Sequence, residues 1–145
     1  MSFEQAFTLD VPSTTQNLAL IRDFVNRISA QAGFDADEMA KLELAVDEAC
    51  ANVIEHAYEN EQGKQVMVRA SFDGEVLRIT VVDTGKGFDP SGVHQADLKE
   101  LAEKRRTGGL GMRLIQSLMD EVHYEIGPGN KNELQMVKRL RKPGA

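Results

Sequence analysis

Three short segments carry residues whose types and spacing could do chemistry. The first is Glu48-Ala49-Cys50-Ala51-Asn52. Helical residues four apart share a face, so Glu48 and Asn52 stack about one turn from each other, with His56 next in the row. A carboxylate can take a proton from an attacking hydroxyl, and a carboxamide oxygen is a hard ligand suited to Mg²⁺. Glutamate and asparagine on a helix are most often only solvated. Here Ala45, Ala49 and Ala51 surround them, and such small side chains are expected to leave open space over the helix.

The second segment is Asp83-Thr84-Gly85-Lys86-Gly87-Phe88-Asp89-Pro90, directly after a strongly apolar stretch. Gly85 and Gly87 permit close backbone approach to a flat ligand. Asp83 could accept a hydrogen bond from an exocyclic amine such as that of adenine, although the segment also reads as a strand-ending turn with a capping aspartate. The third is Thr107-Gly108-Gly109-Leu110-Gly111-Met112-Arg113, opening a helix. Free N–H groups and the positive end of the helix dipole form a phosphate cradle there, and Lys104, Arg105 and Arg106 add cations. It is not a dinucleotide fingerprint, because Leu114 stands where the third glycine would be. No Walker A loop is present, because neither Gly85-Lys86 nor Gly63-Lys64 has the preceding glycine at the required spacing or a following Ser or Thr. Cys50 reads as a small core residue, and Met112, Met119 and Met136 read as packing. His94 and His123 lack partners at metal-ligand spacing.

The elements that must position these segments follow from periodicity. Phe3 to Val11 alternates as an edge strand ended by Pro12. Ser13 is the expected cap of a helix to about Ala32, closed by Gly33, with Leu18, Ile21, Val25 and Ile28 as its apolar stripe. Asp35 and Glu38 form a capping box for a second helix through about Tyr58, with Leu42, Ala45, Val46, Ala49 and Val53 inward. Val66 to Phe72 and Val76 to Val82 are strands joined at Asp73-Gly74. From Asp83 to Gly109 the chain reads as a functional loop with a short helical stretch around Leu98 to Glu103. A helix from about Gly111 to Asp120 leads to strands near Val122 to Ile126 and Glu133 to Leu140, joined by Gly127-Pro128-Gly129-Asn130. The basic run Lys138, Arg139, Arg141, Lys142 reads as a solvated end.

This order predicts an α/β fold: a two-layer α/β sandwich with a mostly antiparallel mixed sheet and helices on one face. Its 145 residues fit one domain, 1–145. Seventeen Lys and Arg against 23 Asp and Glu give a net charge of −6, which argues against a general nucleic-acid or membrane-surface binder. One cysteine excludes an internal disulfide and suggests a reducing compartment. No apolar run approaches the roughly 20 residues of a membrane span, and the N-terminus lacks a secretory pattern, so a cytoplasmic protein is expected.

Taken in order, the three segments resemble the N box and two glycine boxes of the ATP-binding fold shared by gyrase and histidine kinases, the histidine kinase-like (GHKL, Bergerat-type) ATPase superfamily. LAVDEACANVIEHAY (Leu44 to Tyr58) and RTGGLGMRLIQSLMDEV (Arg106 to Val122) look most like bacterial anti-sigma factors of the serine-kinase type. The resemblance implies ATP and Mg²⁺ as cofactors, Glu48 as general base and Asn52 as metal ligand. It assigns Asp83 to the adenine amine, Gly85 and Gly87 to the adenine pocket, and Arg106, Thr107, Gly108, Gly109, Leu110 and Gly111 to the phosphates. It further implies a sigma factor held inactive, a serine phosphorylated on an anti-anti-sigma partner (a STAS-type domain), and a homodimer. The competing reading is an ATP-dependent partner-binding regulatory module without protein kinase activity. A histidine-kinase catalytic domain is weaker, since no helix pair with a phospho-accepting histidine is readable.

Overall fold

Strands and helices follow the order that the periodicity requires in this computed structural model, which describes residues 4–58, 63–84, 110–126 and 131–141. The elements are β1 (Gln5–Pro12), α1 (Leu18–Ala32), α2 (Ala36–Asn52), β2 (Gln65–Phe72), β3 (Val76–Asp83), α3 (Leu110–Leu118), β4 (Glu121–Ile126) and β5 (Asn132–Arg139). The sheet order is β1-β2-β3-β5-β4. Every described pairing is antiparallel, in line with the mostly antiparallel sheet expected. The reason is topological. The crossover through α3 sends β4 in the same direction as β3, but the following hairpin inserts β5 between them.

Strand side chains alternate between two faces. Val66, Val68 and Ala70 of β2, Leu77, Ile79 and Val81 of β3, and Leu134 and Met136 of β5 are buried, whereas Arg69 and Arg78 between them are exposed. The helices cover the apolar face with Ile21, Val25 and Ile28 from α1, Leu42, Ala45, Val46 and Ala49 from α2, and Met112 and Ile115 from α3. Each of the Val, Leu, Ile and Met side chains contributes about 1.5–3 kcal/mol by leaving water.

Gly33 ends α1 at φ 101°, where its N–H reaches the carbonyls of Ser29 and Ala30. That left-handed position strains any residue with a Cβ. The start of α1 differs from expectation. Ser13 is buried with its N–H on the Lys64 carbonyl, a contact that continues the β1–β2 pairing, and a 3₁₀ turn (Thr15–Asn17) precedes the helix. Asp35 caps α2 by accepting the Glu38 N–H at 2.9 Å. The capping box is only half formed, because the Glu38 carboxylate is drawn instead to Lys138, 2.7 Å away.

Lys138 is therefore not part of a solvated tail. It occupies an inward position of β5, opposite Leu77, and is 3% exposed. A buried ammonium must be paired, and Nζ also donates to the Leu118 carbonyl at 2.7 Å, closing the C-terminal end of α3. Arg139 and Arg141 are ion-paired as well, with Glu121 and Asp120.

Candidate functional site

Helix α2 is pinned at both ends, and this decides where Glu48 and Asn52 stand. At its start, Glu38 meets Lys138. Beyond its end the chain forms a π-helical turn, Val53–Ala57, and then Tyr58. The buried Tyr58 hydroxyl donates to the Gln65 carbonyl at 2.6 Å and accepts the Thr84 N–H at 2.9 Å. Thr84 immediately follows Asp83, so the Asn52 end of α2 and the Asp83 end of β3 share one edge of the molecule. From Glu38 to Asn52 is roughly 21 Å at 1.5 Å per residue, and from Lys138 to Asn132 along β5 is about 20 Å. Helix and strand thus span the same distance from the Lys138 clamp to this edge. Helix α3 packs on α2 and ends at the clamp with Leu118, so its beginning at Leu110 points away from the clamp. The first N–H groups of a helix have no partners within it, which is what a phosphate site requires.

Asn52 is half-buried, and its Oδ1 is buried with no hydrogen-bond partner among the described residues. An unsatisfied buried acceptor is costly and calls for an explanation. A carboxamide oxygen held this way fits a hard cation such as Mg²⁺. Glu48 lies one turn earlier on α2 and is half-buried. Asp47 and Glu43 beside it are held toward α1, Asp47 by Arg22 at 2.7 Å and Glu43 by Asn26 at 3.1 Å. Asp83 is 6% exposed on the inward face, and its Oδ1 accepts the Asn132 Nδ2 at 2.8 Å.

Two expectations about the first segment are corrected. Ala45 and Ala49 are 0% and 2% exposed, as the inward stripe of α2 required, so they let α2 pack closely rather than clearing space over it. The α-helical register of the Glu48–Asn52 row ends at Asn52, because the backbone after it widens to a π turn, Val53–Ala57. Cys50 is fully buried, and burial first, then the Asp47 charge, push its thiol pKa well above the ordinary value. It is inert packing. Gly85, Gly87, Arg106, Thr107, Gly108 and Gly109 lie outside the described residues, as does the expected helical stretch near Leu98. Leu110 and Gly111 form the first turn of α3.

Sequence reasoning did not single out Asn132 or Tyr58 and misread Lys138. The period-two pattern of β5 held the signal: Asn132, Leu134, Met136 and Lys138 share the inward phase, so two polar groups were due to be buried. The outer face of the sheet bears an open hollow lined by Arg69, Thr80, His123, Glu125, Glu133 and Gln135, on the side opposite the site.

A two-layer fold that brings the Asn52 end of α2 and the Asp83 end of β3 to one edge is that of the histidine kinase-like ATPase domain, and the chain belongs to that family, which matches residues 11–138. More particularly, it is similar to the serine-protein kinase RsbW of Bacillus subtilis (strain 168), 31% identical over 126 residues covering 83% of this chain and 78% of that protein. The protein of the same name from Listeria monocytogenes is 34% identical over 126 residues, covering 83% and 80%. The anti-sigma F factor of Thermoanaerobacter pseudethanolicus is 30% identical over 140 residues, covering 97% of both chains. A crystal structure of the RsbU and RsbW domains of a Mycobacterium tuberculosis protein matches with a TM-score of 0.70 at 18% identity, which shows the fold. That match covers 96% of this chain and 33% of that one.

Proposed function

We propose that this chain is an ATP-dependent protein serine kinase that acts as an anti-sigma factor, sequestering a sigma factor and phosphorylating a serine of an anti-anti-sigma partner. The observation that carries the reading is the buried Asn52 Oδ1, without a hydrogen-bond partner among the described residues, at the same edge as the buried Asp83 carboxylate in a chain of this family. The names borne by its relatives supply the substrate class and the regulatory role.

The residues divide the work as phosphoryl transfer demands, mostly positioning and charge neutralisation. Asp83 accepts a hydrogen bond from the adenine amine, with Gly85 and Gly87 shaping the pocket around the ring. Arg106 and the backbone of Thr107, Gly108, Gly109, Leu110 and Gly111 hold the phosphates at the amino end of α3. Asn52 Oδ1 would hold Mg²⁺, which when bound would supply neutralisation of phosphate charge. Glu48 accepts the proton of the partner's serine hydroxyl as that oxygen bonds to the γ-phosphorus and the bond to the β-bridging oxygen breaks, giving phosphoserine and ADP. The protein works in the cytoplasm as a homodimer, β1 standing at the edge of the sheet among the described residues.

The test is transfer of labelled γ-phosphate to an anti-anti-sigma domain in the presence of Mg²⁺. Wild type should label a serine, and Glu48→Gln should lower the rate by about 10²–10⁴ while ATP affinity by calorimetry stays within about threefold. ATP binding with no labelled partner would leave a binding module and sink the kinase. Equal rates in the two proteins would remove Glu48 as base.

A further inference from the structure

We infer that Lys138 is a positioning residue of the phosphate site, setting the separation between the Asn52 end of α2 and the amino end of α3. The inference rests on the ATP reading above and adds to it a residue at the opposite pole of the molecule. A single atom carries it. Lys138 Nζ lies 2.7 Å from a carboxylate oxygen of Glu38, in the first turn of α2, and donates at 2.7 Å to the carbonyl of Leu118, the last residue of α3. The two helices assigned to the metal and the phosphates are thus referred to one point on β5.

An apolar side chain would be the ordinary filling here, since Leu134 and Met136 precede Lys138 in the inward phase of β5. Replacing both members of a buried ion pair by apolar residues is often neutral for stability, so what such a pair supplies is a unique register. Here that register is the placement of α2 against α3. A helix moves as a stiff rod, and Ile115, buried more deeply than Met112, is the pivot of α3. Leu118 stands roughly 4.5 Å along the axis to one side of it and Leu110 roughly 7.5 Å to the other, so a slip at the clamp is magnified about 1.7-fold at the amino end. The Asp120 N–H reaches the Val137 carbonyl at 2.9 Å, a backbone bond that keeps the turn after α3 on β5. Losing the Lys138 contact therefore tilts α3 without unfolding it. A misplacement of about 1 Å suffices to cost on the order of 10²-fold where groups must be aligned. Asp83 belongs to β3 and to neither helix, so the base end of the site stands outside this linkage.

The experiment titrates the full chain with adenosine and with ADP and Mg²⁺, followed by NMR, for wild type, Lys138→Met and the double variant Glu38→Leu with Lys138→Met. All three are compared at a temperature where far-UV circular dichroism shows them folded. ADP should weaken by about tenfold in both variants while adenosine stays within about twofold, because adenosine lacks the phosphates that the amino end of α3 receives. The double variant strands no charge, so it separates positioning from folding and stands in if Lys138→Met does not fold. Equal loss for adenosine and ADP, a loss for ADP below about threefold, or ADP affinity regained in the double variant would reduce Lys138 to a folding contact. Each of these would overturn the inference and leave the ATP reading intact. Failure of wild type to bind ADP would overturn both.

Discussion

Replacing Lys138 with methionine should destabilise the protein far more than its place near the C-terminus suggests. The Lys138 side chain is 4% exposed, and its ammonium makes two contacts of 2.7 Å, to Glu38 and to the Leu118 carbonyl. Methionine fills similar volume but strands a carboxylate and a helix-end carbonyl. Breaking a buried pair on one side costs about 3–5 kcal/mol. Glu38 keeps 19% of its side-chain surface in water and has Arg141 and Lys41 at 3.8 Å, so the cost falls below that range, to roughly 2–3 kcal/mol. For 145 residues the unfolding entropy is about 0.3 kcal/mol per kelvin, which converts this to a melting point lower by about 7–10 °C. Urea unfolding followed by far-UV circular dichroism, without nucleotide to avoid linkage, measures it. Adding Glu38→Leu to Lys138→Met should restore much of the loss, since no charge is then stranded. A cost below about 0.5 kcal/mol for Lys138→Met would show the pair to be screened by water, and the clamp argument would fail.

Two further outcomes follow from the geometry. Asn52→Ala should lower affinity for ATP in the presence of Mg²⁺ by on the order of tenfold, yet change ATP binding little when the metal is chelated. An equal loss under both conditions would place Asn52 on the nucleotide rather than the metal. Stability should fall in acid. Burial raises the Asp120 pKa, but the Arg139 N–H, Arg141 and Lys138 outweigh it and hold the carboxyl below its ordinary value, and the N–H groups of Val76 and Glu75 do the same for Asp73. Because the folded pKa lies below the unfolded one, this stability is complete above about pH 5 and is lost as pH falls through about 4 toward the folded values. Urea midpoints from pH 7 to 3 would show it, and Asp120→Asn should flatten the slope. A variant as acid-sensitive as wild type would refute the assignment.

Much of the fold was legible because its signals are local. Asp35 before Glu38, Gly33 after Ala32 and Asp73-Gly74 between two β-branched runs each act within a few residues, and the structure bears out all three positions. The inward stripe of α2 was equally readable, since burial follows the helical period. The candidate site was legible as residue types, Glu48, Asn52 and Asp83, but not as a shape. Ala45 and Ala49 illustrate the gap: small size alone does not say whether a residue clears a cleft or admits a neighbouring helix.

What the chain alone determined was therefore the elements, their order, the face each buries and the kind of ligand its three segments suit. Tertiary structure decided the rest. Only folding sets Lys138 against Glu38, Tyr58 against Thr84, and Asn132 against Asp83, partners 100, 26 and 49 positions apart. The physical reason is that hydrogen bonds and ion pairs act over about 3–4 Å of space, whatever the separation along the chain. A charge such as Lys138 reads as solvated until the sheet register places it over an apolar layer, where pairing becomes obligatory.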